Sequence, residues 1–219
     1  LSRIEGISVR CLGGAYDPNF SFGRRLWSYL RFALHSMWVC TRARDFDVVL
    51  ATSTPLTVAL PGLAAKLIAR RPLVFEVRDV WPDAAVDIGA LKNPVLIWLA
   101  RVLERVTYRK ADAIVPLSTG MKARIRAKGV PPAKMTVIPN CSDLDFFAAG
   151  DGARVRAAHQ AGEKKILLYV GAINQANNIE YLISIVEQLP LDGSWEWWFV
   201  GDGNRYALLQ EYVVRHPER

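Results

Sequence analysis

The chain has little cysteine, and its three cysteines are too far apart to form a known cysteine motif. Cys11, Cys40 and Cys141 form no Cys-x-x-Cys pair, and their odd number does not suit a framework of disulfides. A disulfide-stapled scaffold, a zinc ribbon and a dithiol redox motif are therefore excluded as classes. We expect a protein of a reducing compartment.

Several catalytic signatures are also absent. The sequence contains no Gly-x-Gly-x-x-Gly fingerprint and no Gly-x4-Gly-Lys-[Ser/Thr] loop, which argues against dinucleotide oxidoreductases and P-loop NTPases. Asp45 and Asp47 have the spacing of metal ligands. They lie at the start of a predicted strand, however, and sites in parallel sheets form at the carboxyl ends of the strands. Asp143 and Asp145 are typical of turn and cap residues. We expect no metal and no cofactor.

We expect neither a signal peptide in these residues nor a membrane-spanning run. Residues 1–10 carry charges and no apolar core of a signal peptide. The uncharged stretch Val48–Ala65 is long enough to span a bilayer, but Thr, Ser, Pro and Gly interrupt it. In lipid these residues would leave backbone groups unpaired. The stretch therefore predicts a strand, a turn and the start of a buried helix.

Positive charge is concentrated in the front part of the chain. Residues 1–148 contain 21 basic and 12 acidic side chains, a net charge of +9, whereas residues 149–219 contain 7 and 9, a net charge of −2. Such a balance suits nucleic acid, an anionic membrane surface or phosphorylated substrates as partners. Ordinary solubilising charge is the alternative.

Short apolar runs alternate with helical periods along the whole sequence. Runs such as Asp47–Ala51 and Lys165–Val170 are apolar on both faces, which is typical of a sheet covered by helices. The alternation predicts an α/β fold with a parallel, doubly wound sheet. The predicted strands are Ile7–Arg10, Asp47–Ala51, Leu73–Val77, Ala113–Pro116, Met135–Ile138, Lys165–Val170 and Glu196–Val200. The predicted helices are Phe22–Arg44, Leu56–Arg70, Pro94–Lys110, Met121–Lys128, Ile179–Leu189 and Asn204–His216.

Composition changes near residues 143–162, where Gly, Ala and charged residues mix. We therefore predict a front domain over residues 1–148, a linker over 149–162 and a back domain over 163–219. The back part supplies only two strands, which is small for an independent sheet. We expect a piece of a longer two-domain protein, with a single seven-stranded sheet as the alternative.

Loops at the carboxyl ends of the strands are the expected place for chemistry in an open parallel sheet. Ser53 and Thr54 follow one strand and offer hydroxyl groups to a ligand or to a helix start. Arg78, Asp79 and Trp81 follow the next strand. Arg78 suits a phosphate or carboxylate, and Trp81 suits a sugar face. The alternative is an Arg–Asp pair that pins the loop above a core Trp.

Later loops repeat the pattern with weaker signals. Ser118 begins a helix after one strand, and Asn140 follows the next. Gly171, Gly201 and Gly203 follow the two back strands and would let backbone amides approach a ligand. Each is also a common turn residue.

Together these stretches resemble family-4 glycosyltransferases of the GT-B fold, most closely the branch with fucosaminyltransferase-like enzymes of bacterial surface-polysaccharide assembly. The matching segments run in family order over nearly the whole chain. They are "EGISVR", "DVVLATSTPLTVALPG", "FEVRDVWPDAAVDIGALKN", "YRKADAIVPLSTGMK", "KMTVIPNCSDLDFF", "ILLYVGAINQANNIEYLI" and "WFVGDGNRYALLQE".

The resemblance implies two Rossmann-like domains that face each other across a cleft, the second one incomplete. It implies metal-free sugar transfer from a nucleotide-diphosphate sugar, with retention of configuration, to a lipid-linked or saccharide acceptor. Arg78 and Asp79 would be catalytic. The implied donor-binding residues are Gly171, Asn174, Gly201, Gly203 and Asn140, and the implied acceptor or cleft residues are Ser53, Thr54, Trp81 and Ser118.

Three departures from the family pattern are visible. The family's first strand and its glycine-rich loop would precede Leu1, and no two Glu residues are eight positions apart as its Glu-x7-Glu pair requires. Ala172 and Asn177 stand where many relatives carry basic residues, and neither neutralises a diphosphate. We therefore expect that this chain alone does not sustain turnover.

The predicted helix Phe22–Arg44 indicates which partner the basic front half binds. Arg24, Arg25 and Arg31 flank Trp27, a combination that suits the surface of an anionic bilayer. An acceptor on a polyprenyl diphosphate would require that approach, so we expect a cytoplasmic protein at the inner face of the membrane and no nucleic-acid partner. The alternative is a core-packing helix with a solvated basic side.

Two other functions remain open at this point. One is a nucleotide-sugar epimerase of the same fold, which needs no lipid. The other is a non-catalytic sugar- or partner-binding module.

Overall fold

A computed structural model describes residues 2–12, 20–43, 45–148 and 150–217 of the chain. Strands and helices alternate along these residues, and every long-range strand pair is parallel. The predicted α/β class is therefore confirmed. The chain divides into two units, Leu1–Cys141 and Ser142–Arg219.

The first unit begins with a hairpin rather than with a strand of the main sheet. β1 (Ser2–Ile4) and β2 (Ile7–Val9) pair antiparallel across the two-residue turn Glu5–Gly6. Both turn residues have positive φ, 48° and 84°, which is the geometry of the tight turns that match strand twist. The expectation that Ile7–Arg10 joins a parallel sheet is thus wrong, because β2 pairs with the adjacent strand β1 instead.

A three-stranded parallel sheet forms the centre of the first unit. After α1 (Phe22–Arg42) come β3 (Val49–Ser53), α2 (Ala59–Leu67) and β4 (Leu73–Val77). Next are α3 (Asp83–Asp87), α4 (Pro94–Lys110), β5 (Ala113–Pro116) and α5 (Thr119–Ala127). The strand order is β3–β4–β5, with Ser53 opposite Val77.

The predicted strand Met135–Ile138 forms only in part. Met135 makes a single parallel bridge to Ile114, and the amides of Thr136 and Ile138 donate to the carbonyls of Ile114 and Pro116 at 3.1 Å each. The segment therefore runs extended beside β5 without becoming a full strand.

One face of this sheet carries the core. Ala51, Phe75 and Ile114 are buried there, and α2 and α4 pack against each other and against this side of the unit. On the opposite face Leu50 is 64% exposed. Right-handed crossovers between sequential neighbours place their helices on one side. We expected helices on both faces of the sheet, but in the described part of the chain they cover the second face incompletely.

Asp112 fastens the start of β5 to two other elements. Its carboxylate accepts from Lys66 Nζ at 2.6 and 2.8 Å and from the Leu73 amide at 2.7 Å. The Lys66 hydrogen bond, followed by that of Leu73, lowers the pKa of Asp112 below its ordinary 3.8. The contact joins α2, β4 and β5 at the amino edge of the sheet.

The second unit is smaller. It contains α6 (Gly152–Ala158), β6 (Lys165–Val170), α7 (Ile179–Val186), β7 (Trp195–Val200) and α8 (Tyr206–Arg215). β6 and β7 pair in parallel over six residues, and Ile173, Ile179 and Leu209 form the core. In the described residues the strands form separate sheets, so the alternative of one seven-stranded sheet is wrong. α6 lies inside the range predicted as a linker.

Replacing Asp112 by Asn tests its charged contact. A lowered folded-state pKa adds stability above the unfolded-state value, and that stability disappears as pH falls through the folded-state pKa. Asp112→Asn should therefore lower the free energy of unfolding by about 1 kcal/mol at neutral pH, since the pair is partly exposed, and by less near pH 3. Urea denaturation at both pH values measures this. Asp47→Asn is the control, and an equal loss at both pH values would contradict the charge argument.

Candidate active site

The carboxyl ends of β3 and β4 bring four of the predicted residues together. The Arg78 amide donates to Ser53 Oγ at 3.1 Å, and Thr54 Oγ1 donates to Asp79 Oδ2 at 2.9 Å. Ser53 is 1% exposed, whereas Thr54, Arg78 and Asp79 lie at the surface. Two loops that are 25 residues apart in sequence are thus joined by their side chains.

Arg78 and Asp79 do not pair with each other. Among the described residues no carboxylate lies within ion-pair distance of the Arg78 guanidinium. The hydroxyls of Ser53 and Thr54 hold the loop, so the alternative of an Arg–Asp pair is wrong. Arg78 is consequently available to an anionic or hydroxyl-bearing ligand, and the second oxygen of Asp79 has no recorded partner in the same described set.

Trp81 has a packing role. It is half-buried against the main core cluster that includes Val80 and Phe75. Its amide donates to the Asp79 carbonyl at 2.9 Å, which closes the loop. The core alternative for this side chain therefore fits better than a fully open sugar platform.

Ser118 and Asn140 also follow the carboxyl ends of extended segments, but their surroundings differ. Ser118 caps α5, because its Oγ accepts from the Met121 amide at 3.1 Å. Asn140 is exposed just beyond the extended segment 135–138. Ser118 is thus engaged in a cap, and Asn140 presents a free amide side chain in the described chain.

The second unit carries the glycine loops predicted to meet a donor. The amides of Gly171 and Ile173 donate to the carbonyls of Val200 and Asp202 at 3.0 and 2.9 Å, so the loops after β6 and β7 continue the strand pairing. Gly201 and Gly203 have φ of +154° and +157°, and a Cβ at either would overlap the carbonyl of Gly171 or Ile173. These two glycines therefore serve the close approach of the loops to each other.

Asparagines shape the rest of the first of these loops. Asn174 Oδ1 accepts from the Asn177 amide at 3.1 Å, and Asn177 Nδ2 donates to the Ala172 carbonyl at 2.7 Å. The Asn178 side chain caps α7. Asn174 thus shapes the loop, and its contact with a donor stays a prediction.

Arg205 is a cation at this site that sequence reasoning missed. Its amide donates to the Ile173 carbonyl at 2.9 Å, and its guanidinium lies 3.3 Å from Glu180 on α7. It follows the glycine loop by two residues, and that position was the available signal. Arg205 places positive charge beside a loop in which Ala172 and Asn177 supply none.

No metal cluster is present in the described ranges 2–12, 20–43, 45–148 and 150–217: no three His, Cys, Asp or Glu side chains group as metal ligands.

α1 has two different faces. Ala33 and Ser36 are buried on the side that packs against α2, as the core alternative predicts. On the other side Trp27, Leu34 and Trp38 are 64%, 59% and 52% exposed. This exposed apolar row, at helical spacing, is unusual for a surface in water.

Arginines flank the exposed row of α1. Arg24 lies 4.0 Å from the Phe20 ring centre, and Arg42 lies 4.5 Å from the Trp38 ring centre. Arg31 is exposed, whereas Arg25 is half-buried and less available than predicted. Among the described helices none is both long and apolar enough to cross a membrane.

Comparison with known proteins gives two curated relatives. WbjE of Pseudomonas aeruginosa, named as a probable glycosyltransferase, is 26% identical over 203 residues, which are 91% of this chain and 50% of that protein. WcaI of Escherichia coli, provisionally named as a colanic acid biosynthesis glycosyl transferase, is 28% identical over 174 residues, 75% of this chain and 42% of that protein. The chain spans about half the length of these relatives, or less.

A solved structure shares the fold. HepE of Anabaena, crystallised in complex with UDP-glucose, matches 84% of this chain and 48% of its own length with a TM-score of 0.64 at 17% identity. At that identity the likeness shows the fold alone. A family model described as a glycosyl transferase 4-like domain matches residues 3–141, more than half of the chain. The chain therefore belongs to the glycosyl transferase 4-like domain family.

Proposed function

We propose that the protein transfers a sugar from a nucleotide-diphosphate sugar to a lipid-linked or polysaccharide-precursor acceptor, with retention of configuration. The observation that carries the proposal is the family match over residues 3–141. The matched range includes Ser53, Thr54, Arg78 and Asp79, which we call the Ser53–Asp79 cluster. The names of WbjE and WcaI and the UDP-glucose bound to HepE support a glycosyltransferase that uses a nucleotide sugar. We further propose a UDP-linked N-acetylated donor and the fucosaminyltransferase-like branch.

The first unit supplies groups for the acceptor. Thr54 holds one oxygen of Asp79, so the other oxygen is oriented to accept a hydrogen bond from an acceptor hydroxyl. A carboxylate in that place takes the proton that the hydroxyl loses as its oxygen bonds to the anomeric carbon and the bond from that carbon to the diphosphate breaks. Retention of configuration requires that the hydroxyl attack from the face that the diphosphate leaves. Arg78, with no competing carboxylate among the described side chains, binds polar groups of the substrate beside it.

The second unit supplies groups for the donor. The leaving nucleotide diphosphate gains negative charge in the transition state, and fixed cations and amides stabilise such charge. Arg205 is placed for this role beside the Gly171–Ile173 loop. Exchange of its partner Glu180 for the diphosphate would cost little, because the pair is partly exposed.

A membrane-bound acceptor suits the exposed face of α1. Trp27 and Trp38 provide apolar area, and Arg24 and Arg31 provide charge beside it. Each basic residue near an anionic bilayer contributes roughly 1 kcal/mol. We propose a peripheral protein at the inner face of the cell membrane.

Replacing Asp79 by Ala tests the proposed reaction. The intact protein is incubated with labelled UDP-N-acetylated sugars and a lipid-linked acceptor, and Asp79→Ala should lower turnover about a hundredfold because the proton acceptor is lost. Its melting temperature should stay the same, since Asp79 is exposed. Asp47→Ala, at the opposite end of β3, is the matched control.

Three outcomes would contradict this assignment. A parallel fall in melting temperature would make Asp79 a loop-pinning residue. Conversion of the nucleotide sugar to an isomer without any acceptor would identify an epimerase. Absence of heat on titration with UDP would identify a binding module.

Replacing Arg205 by Gln tests the donor site separately. The substitution should weaken UDP binding about tenfold in calorimetry, because one charge-assisted contact to the diphosphate is lost. Arg215→Gln is the control, since Arg215 also pairs with a Glu, at 2.7 Å on α8, but lies away from the loop. Equal effects of the two variants would argue against a diphosphate contact.

Replacing Arg24 and Arg31 by Gln together tests the membrane surface. Sedimentation with vesicles that contain phosphatidylglycerol should show binding weakened roughly thirtyfold, at about 1 kcal/mol for each arginine. Added salt should reduce the difference. Arg154→Gln, on α6, should bind like the unmodified protein, and unchanged binding of the double variant would contradict the proposal.

A further inference from the structure

A separate pocket of about 580 Å³ lies in the first unit, between the end of α4 and the segment that follows α5. α4 ends just before β5 begins, and Gly129–Lys134 lead into the extended segment beside β5. The lining joins the second half of α4 to this segment and to Asp83 at the start of α3. The Ser53–Asp79 cluster lies at the carboxyl edge and shares no residue with it.

Two carboxylates in the pocket share one lysine. Lys128 Nζ lies 2.6 Å from Glu104 and 2.7 Å from Asp83. Glu104 is 4% exposed, and its burial raises the pKa of its carboxyl group despite Lys128. The Asp83–Lys128–Glu104 group is thus an internal structural cluster.

Four further cations line the pocket. Arg101, Arg105 and Arg109 have no carboxylate within ion-pair distance in the described chain, and all three are exposed and line the pocket. Lys134 Nζ donates to the carbonyls of Tyr108 and Arg109 at 2.9 Å each, so the helix end fixes it. Burial lowers the pKa of Lys134, which a bound anion would offset.

The spacing of the arginines decides which anion fits. Residues four apart on a helix lie about 6 Å apart along its axis and on one face. Neighbouring guanidinium groups at that spacing suit two linked phosphates, each of which takes a bidentate contact. The volume is within the usual range for a small ligand. We propose that this pocket binds the diphosphate group of a ligand, at a site distinct from the donor site.

An apolar row beside the arginines distinguishes two sources of the diphosphate. Trp98, Val102 and Val106 each precede one of the three arginines by three residues and are 62%, 38% and 38% exposed. Residues three apart are neighbours on a helix surface. A diphosphate that carries an apolar chain would contact this row, whereas a free or soluble diphosphate would use the cations alone.

Calorimetry with inorganic pyrophosphate on the intact protein tests the pocket. Saturating UDP is added first, so that binding at the proposed donor site does not contribute. Arg105→Gln should weaken pyrophosphate binding about tenfold through loss of a charge-assisted contact. Arg126→Gln removes the same charge from α5, outside the pocket, and should have little effect, since Arg126 is exposed and has no ion-pair partner among the described residues.

Farnesyl diphosphate and Val102→Ser identify the source. If farnesyl diphosphate binds more tightly than pyrophosphate and Val102→Ser removes that difference, the pocket binds a lipid diphosphate. If the two compounds bind equally well, it binds a soluble diphosphate. The proposal is overturned if pyrophosphate does not bind, or if Arg105→Gln and Arg126→Gln behave alike. Neither result depends on sugar transfer, which the Asp79 assay measures separately.

Discussion

The in-register pairing of β3 with β4 is the constraint on which the candidate active site depends. Ser53 lies opposite Val77, so the next residues, Thr54 on one strand and Arg78 on the other, leave the sheet side by side. A slip of one residue would turn Phe75 out of the core and is therefore costly. Asp112 secures the amino ends of the strands, and the polar contacts between the two loops form at the carboxyl ends as a consequence.

In the second unit, backbone groups rather than side chains join the two loops that follow the strands. The loops after β6 and β7 approach so closely that Gly201 and Gly203 cannot carry a Cβ. Their amides and carbonyls are largely used between the loops, as the bonds from Gly171 and Ile173 show. The charge needed by a diphosphate must therefore come from a side chain beside the loops, which is why Arg205 is important to the proposed function.

The excess positive charge of residues 1–148 has several distinct uses. Lys66 and Lys128 are held in ion pairs that join elements. Arg24 and Arg42 lie over aromatic rings on α1. The arginine row of α4 lines a pocket, and none of its three arginines has a carboxylate within ion-pair distance among the described residues. A net charge of one sign thus separates, in three dimensions, into structural cations and cations that are free for ligands.

Much of the fold could be predicted from the sequence because it depends on local patterns. Apolar runs bounded by polar residues placed the strands of both parallel sheets within about two residues of their observed ends, and helical periods placed α1 and α4. The resemblance to glycosyltransferases also followed from short motifs in order. Short elements were missed, such as α3 and α6, since five or seven residues carry little periodic signal.

What the sequence alone determined was the element types, the parallel pairing and the residues that follow each strand. Only the tertiary structure decided which of those residues meet. The Thr54–Asp79 contact joins residues 25 positions apart, and the pocket joins α4 to the loop before residue 135. Such contacts depend on strand register and helix packing, which arise from the whole core and leave no signature at the residues that they bring together.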